Sequence, residues 1–182
     1  GLRGGSRGLA LKRRSPAAQG AAYARRPESR RALLARGMAD TAHDTPAAAV
    51  AGADVVVFCT PVLTIPEILR SCVSGFGSGC LVTDVGSTKA ELMEAVRPWF
   101  KPGAAQFVGS HPMTGSEKAG LEAARADLYQ GCTVALTPGT GGGGPAVDLL
   151  LTRSGPASGS AKRGRPMWWT PSWRISHSRA TR

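Results

Sequence analysis

The chain of 182 residues is poor in the features that would place it outside the soluble proteins. No apolar run approaches the roughly 20 residues that a membrane span requires, so no membrane partner is expected. The first residues carry no apolar segment of the kind found in signal peptides, and a cytoplasmic location is expected. Four cysteines, Cys59, Cys72, Cys80 and Cys132, form no Cys-x-x-Cys pair. Without paired ligands a zinc site is not expected, and small buried thiols in a reducing compartment are the better reading. Histidine is scarce, with three in the chain, so each is worth locating.

Acidic residues are missing from one region altogether. Residues 149–182 hold seven Lys/Arg and no Asp or Glu, a charge of +7. Residues 1–38 hold ten basic residues against Glu28, a charge of +9, whereas residues 39–148 hold six against eleven, a charge of −5. The net +11 is therefore a property of the two ends. A basic surface can serve nucleic acid, and Lys162 to Trp169 does mix cations with aromatics. The tail has no helix or strand period to present them, and the middle is acidic, so no specific nucleic-acid partner is expected. Gly139 to Gly144 reads as a flexible joint. The expected division is one domain over residues 1–151, ending in a helix begun at Pro145, and an irregular basic tail over 152–182 that is disordered or not native domain sequence.

The middle alternates strands and helices. Ala21-Ala22-Tyr23 and the runs 53–59, 80–85, 105–108 and 132–136 read as strands. Helices are expected over Ser6–Arg14, Pro27–Arg36 closed by Gly37, Thr45 to about Val50, 65–73, 89–97 with a Thr88/Glu91 capping box, and near 117–125. Alternation of this kind predicts an α/β fold, a Rossmann-like doubly wound, mostly parallel sheet. Three of its strands end in polar turns: Cys59-Thr60-Pro61, Asp84 to Lys89, and Gly109 to Glu117. Such turns gather at the carboxyl edge of a parallel sheet, where ligands bind. His111, just past a strand, can exchange a proton near pH 7; a lone loop histidine is more often a surface or hydrogen-bonded structural residue.

The segments Val57–Pro61, Thr83–Lys89, Gly109–Gly120 and Leu128–Pro138 resemble the prephenate and arogenate dehydrogenases of tyrosine biosynthesis. The paired motifs Asp-Val-Gly-Ser-x-Lys and Ser-His-Pro-Met-x-Gly-Ser-Glu carry the likeness, over about residues 1 to 150. Gly1 to Ser6 resembles the end of that family's glycine-rich loop, with the first glycine and the first, central strand not in the chain. The resemblance implies NAD- or NADP-dependent oxidative decarboxylation of prephenate to 4-hydroxyphenylpyruvate, or of arogenate to tyrosine, by hydride transfer to the nicotinamide. It implies His111 as acceptor or hydrogen-bond partner of the ring hydroxyl, with Ser87 orienting it. Gly1, Gly4, Gly5, Ser6, Arg25, Arg26, Thr60 and Pro61 are implied on the cofactor, and Ser110, Ser116 and Glu117 on the substrate. Arg25 and Arg26 stand where an acidic residue would take the ribose hydroxyl, which favours NADP. Lys89 is expected to serve the local fold. Family members continue into a helical domain that dimerises and holds substrate; no fit to it follows residue 151, and the chain alone is expected to be weakly active or inactive. Another nicotinamide dehydrogenase and a noncatalytic basic binding protein are the competing readings.

Overall fold

The computed structural model describes residues 1–101 and 103–138. Helix α1 (Leu2–Arg14) opens the chain, followed by β1 (Ala21–Tyr23), α2 (Pro27–Ala35), β2 (Thr41–His43) and α3 (Pro46–Val50). Then come β3 (Val55–Phe58), α4 (Ile65–Arg70), β4 (Leu81–Asp84), α5 (Ala90–Val96), β5 (Gln106–Pro112) and β6 (Val134–Pro138), with short 3₁₀ turns between. The alternation is the α/β class expected.

Local chemistry explains the elements. Pro27 opens α2 with its ring pre-set for helix, and Gly37, at φ +61, turns the chain out of it. Thr45 caps α3 by accepting the Ala48 N–H at 3.4 Å. In α4, Ile65 and Leu69 recur one turn apart and both are fully buried. Leu92 and Val96 do the same for α5. These four side chains pack with Val56, Phe58, Val82 and Phe107 of the sheet. Each full burial of such a side chain stabilises the fold by about 1.5–3 kcal/mol.

Strands β3, β4 and β5 are parallel neighbours, and β6 closes that sheet antiparallel to β5. Strands β1 and β2 form a separate parallel pair. Among the described residues no ladder joins β1 to β3, and α1 bridges the two sheets. At one end Gly4 lies over Cys59, just after β3. At the other, Gly8 lies against the backbone of Met38, and Lys12 pairs with Asp40 at 2.6 Å beside β2. A second apolar cluster, Leu33, Met38 and Ala124 with Leu9, Ala22 and Leu121, fills the space under α1.

Three sequence expectations are corrected. Helix α1 begins at Leu2, not Ser6, because the Gly5 N–H already bonds the Gly1 carbonyl at 3.0 Å. No capping box forms at Thr88: α5 starts one residue later, from Lys89, with no side-chain cap. No helix occupies 117–125. Instead Gly120 turns the chain at φ +85, Ser6 Oγ accepts the Arg125 N–H at 3.0 Å, and Arg36, just after α2, donates to the Leu121 carbonyl. The expected helix from Pro145, the boundary near 151 and the tail 152–182 lie outside the described residues.

Candidate active site at the carboxyl edge of the sheet

The ladder register aligns three strand ends. Phe58 pairs with Asp84, and Thr83 pairs with Val108. Thr83 Oγ1 also donates to the Val108 carbonyl at 2.6 Å. Strand β5 then runs on past the end of β4, paired only with β6: Gly109 opposite Thr137, Ser110 opposite Leu136, His111 opposite Ala135. His111 is therefore inside a strand rather than just after one, because β6 extends the ladder. Its position on the overhang still sets it beyond the parallel edge, half-buried.

The overhang is fixed by one carboxylate. Asp84 is fully buried at the end of β4. Its Oδ1 accepts the Ser110 N–H at 3.1 Å, and its Oδ2 accepts the Gly86 N–H at 2.7 Å. Lys89 Nζ lies 2.6 Å from the same Oδ2 and donates also to the Gly86 carbonyl at 2.6 Å. Ser110 Oγ returns a hydrogen bond to the Asp84 carbonyl. The Gly86–Ser87 turn is thus folded back over the carboxylate, leaving Ser87 exposed at its tip.

Electrostatics at His111 follow from this arrangement. Burial is the main influence lowering its pKa from the ordinary 6.5; the charges of Lys89 and Arg3 lower it further, and Asp84 works against them. The imidazole is therefore neutral at pH 7 and has a lone pair to accept a proton.

On the far side of the edge stands the start of α1. Gly1 is its N-cap, so its first amides point out without a side-chain cap. Arg3 Nη1 donates to the Val85 carbonyl at 2.6 Å, tying this helix end to β4. Tyr129 donates its hydroxyl to the Arg3 carbonyl at 2.8 Å, and its ring lies 5.6 Å from the Arg7 guanidinium. Burial pushes the Tyr129 hydroxyl up to about 12, so it stays a donor. Arg25 and Arg26 are exposed where β1 ends. Thr60 Oγ1, just past β3, is buried and has no hydrogen-bond partner among the described residues. A helix N-terminus, two exposed arginines after β1 and an unsatisfied hydroxyl after β3 suit an anionic, hydrogen-bonding ligand.

The family model for the prephenate dehydrogenase nucleotide-binding domain matches residues 7–153. The chain belongs to the prephenate dehydrogenase family. It is 36% identical over 151 residues to the prephenate dehydrogenase of Bacillus subtilis, covering 82% of this chain and 40% of that protein. The Aquifex aeolicus prephenate dehydrogenase structure matches with a TM-score of 0.73 at 29% identity, over 81% of this chain and 52% of that one. A second Aquifex aeolicus structure, in complex with hydroxyphenyl propionate and NAD+, matches with a TM-score of 0.68 at 30% identity, over 76% of this chain and 48% of that one. The chain thus spans about half or less of the length of these relatives.

Within this family domain the expected residues fall into two groups. His111, Ser87, Thr60, Pro61, Gly1, Arg25 and Arg26 all stand at the ends of β1, β3, β4, β5 or at the start of α1. Ser87 and His111 make no hydrogen bond with one another among the described residues. Others are turned inward. Ser110 is fully buried, and its hydroxyl is committed to Asp84, so it is a structural tie rather than a substrate ligand. Gly5 and Ser6 are buried inside α1 against Met38, Ala124 and Arg125, which leaves them no face for a cofactor. Gly4 acts by close packing: a Cβ there would sit 3.3 Å from Cys59 Cβ. Ser116 and Glu117 are exposed in the loop after β5, Ser116 Oγ accepting the Lys118 N–H at 3.1 Å.

Sequence reasoning assigned no role to Asp84 or Arg3. A carboxylate inside an otherwise apolar strand was the available signal for Asp84, since such a group must find donors. Among the described residues no cluster of His, Cys, Asp and Glu could hold a metal, and no helix is long and apolar enough to cross a membrane.

Proposed function

We propose that this domain binds NAD(P) at the carboxyl edge of its sheet and serves the oxidative decarboxylation of prephenate to 4-hydroxyphenylpyruvate, with His111 as proton acceptor. The single observation that carries the reading is a half-buried imidazole on the β5 overhang, kept neutral by burial and two nearby cations. The uncapped amides at Gly1, the arginines Arg25 and Arg26, and the unsatisfied Thr60 hydroxyl would hold the dinucleotide. When bound, its nicotinamide supplies the hydride acceptor.

The chain's own residues supply position and a base. His111 accepts the ring hydroxyl proton at its free ring nitrogen as that oxygen becomes a carbonyl, and neutral imidazole is suited to this near pH 7. Ser87, exposed on the turn that Asp84 holds, offers a hydroxyl to the same oxygen. Arg3, whose charge reaches His111 without a carboxylate pairing it there, adds positive potential that favours the substrate's carboxylates. Loss of the ring carboxylate as carbon dioxide then completes the aromatic ring.

The test is a chimera in which the matched segment of this chain replaces its counterpart in the Bacillus subtilis relative. NAD(P)H formation with prephenate supports the proposal. Turnover of arogenate alone would move the substrate assignment to that compound. Cofactor binding without turnover of either would refute the dehydrogenase reading.

A further inference from the structure

His111 sits on a stretch of β5 that has a backbone ladder on only one side. Beyond Val108, the β4 side of β5 is held by side chains: Asp84 Oδ1 takes the Ser110 N–H at 3.1 Å, and Ser110 Oγ donates back to the Asp84 carbonyl. The other oxygen of the same carboxylate holds the Gly86 amide and Lys89. One buried group therefore fixes both the backbone beside His111 and the turn that carries Ser87.

A fully buried carboxylate without a counter-charge is costly, and it draws protons toward a neighbouring imidazole. Lys89, with its side chain only 13% exposed, answers both. The glycines around the pair are placed where a side chain would displace it. A Cβ at Gly86 would lie 2.9 Å from Asp84 Oδ2, and one at Gly109 would lie 3.1 Å from Lys89 Cδ and 2.9 Å from Met93 Sδ. Contacts under 3.4 Å force something to move. The charged groups that bear on His111 come from three elements: Asp84 on β4, Lys89 at the start of α5 and Arg3 on α1.

We infer that Asp84 and Lys89 are a positioning pair for His111: the carboxylate fixes the strand end and the Ser87 turn, and the ammonium cancels the carboxylate's pull on a proton, so that the imidazole stays free to accept one. This rests on the reading of His111 as proton acceptor.

The experiment follows the His111 ring by NMR as pH is varied in the full 182-residue chain, with His43 as internal comparison. Three variants are compared. Lys89→Gln keeps a donor for the two oxygens but removes the charge, and the His111 midpoint should rise. Lys89→Arg keeps the charge and should leave the midpoint near that of the parent. Asp84→Asn removes the opposing charge and should move the midpoint down. An unmoved midpoint in Lys89→Gln overturns the inference. So does a shift of Lys89→Gln and Asp84→Asn in the same direction, toward 6.5, because loosened packing alone does that. If Asp84→Asn fails to fold by far-ultraviolet circular dichroism, the contrast between Lys89→Gln and Lys89→Arg decides. The reading of His111 itself fails separately: His111→Asn would then leave turnover of the chimera intact while the NMR shifts still appear.

Discussion

Gly8→Ala tests how α1 is seated, because the structure leaves no room for one added carbon. A Cβ at Gly8 would overlap the Met38 carbonyl oxygen outright and lie 2.8 Å from its carbon and 3.2 Å from its Cα. All three atoms are backbone, so none can swing aside as a side chain would. The helix must lift, and lifting it strains the Lys12–Asp40 pair and the contacts of Gly5 with Met38 and Ala124. Overpacking of this kind costs about 1–3 kcal/mol, and a backbone obstacle belongs at the upper end. Alanine returns about 1 kcal/mol through helix propensity, so the net loss is about 2 kcal/mol, a factor of about 30 in the folded-to-unfolded ratio. Gly4→Ala provides the comparison in the same helix. Its nearest neighbour would be Cys59 Cβ at 3.3 Å, a contact that costs little against the same propensity gain. Urea unfolding of both variants should therefore give a lowered midpoint with unchanged slope for Gly8→Ala and a midpoint at or above the parent's for Gly4→Ala. A Gly8→Ala protein as stable as the parent would refute the seating of α1 across the two sheets.

Other outcomes follow from single contacts. Titration of NADP and NAD by fluorescence should show NADP bound at least as well as NAD, and Arg25→Asp should weaken NADP selectively; a strong NAD preference unmoved by the substitution contradicts the role of Arg25. Ser110→Ala removes a donor to the Asp84 carbonyl in a fully buried site and should destabilise the fold by about 1–3 kcal/mol in urea unfolding; a neutral result would show that tie to be idle. The acid limb of kcat/KM for the chimera should lie below pH 6.5, because burial, Lys89 and Arg3 all favour the neutral imidazole and activity is lost only as pH falls through the lowered His111 value; a limb above 6.5 contradicts that sign.

The parts of the fold that were legible in the sequence are those that local chemistry decides. The β3 and β4 runs are continuous and apolar, Gly37 and Pro27 punctuate α2, and Thr45 caps α3. The parts that were not legible are decided by distant partners. Strand β2 is three residues with no apolar run, and it is a strand only because Ala21–Tyr23 pairs with it. Residues 117–125 have a helix-like composition, but Ser6 and Arg36, more than eighty residues away, bond the Arg125 N–H and the Leu121 carbonyl. The motifs singled out His111 and Ser87, which the fold sets at the ends of β5 and β4. The spacing of 26 residues between Asp84 and Ser110 gives no sign that one holds the other. Ser110 was a substrate ligand only by family resemblance; on the β5 overhang it is fully buried, its hydroxyl bonded to the Asp84 carbonyl.

The central claim is that His111 accepts the proton at the carboxyl edge of a dinucleotide-binding sheet. The measurement that bears on it most directly is single-turnover NAD(P)H formation by the chimera carrying His111→Asn, with cofactor affinity measured on the same protein. Asparagine fits the half-buried position and can hydrogen-bond, but it cannot take a proton. The account predicts a rate lower by about 10²–10⁴ with cofactor affinity within about threefold of the parent, a difference of less than about 1 kcal/mol. A rate equal to the parent's, with the cofactor bound as before, would contradict it.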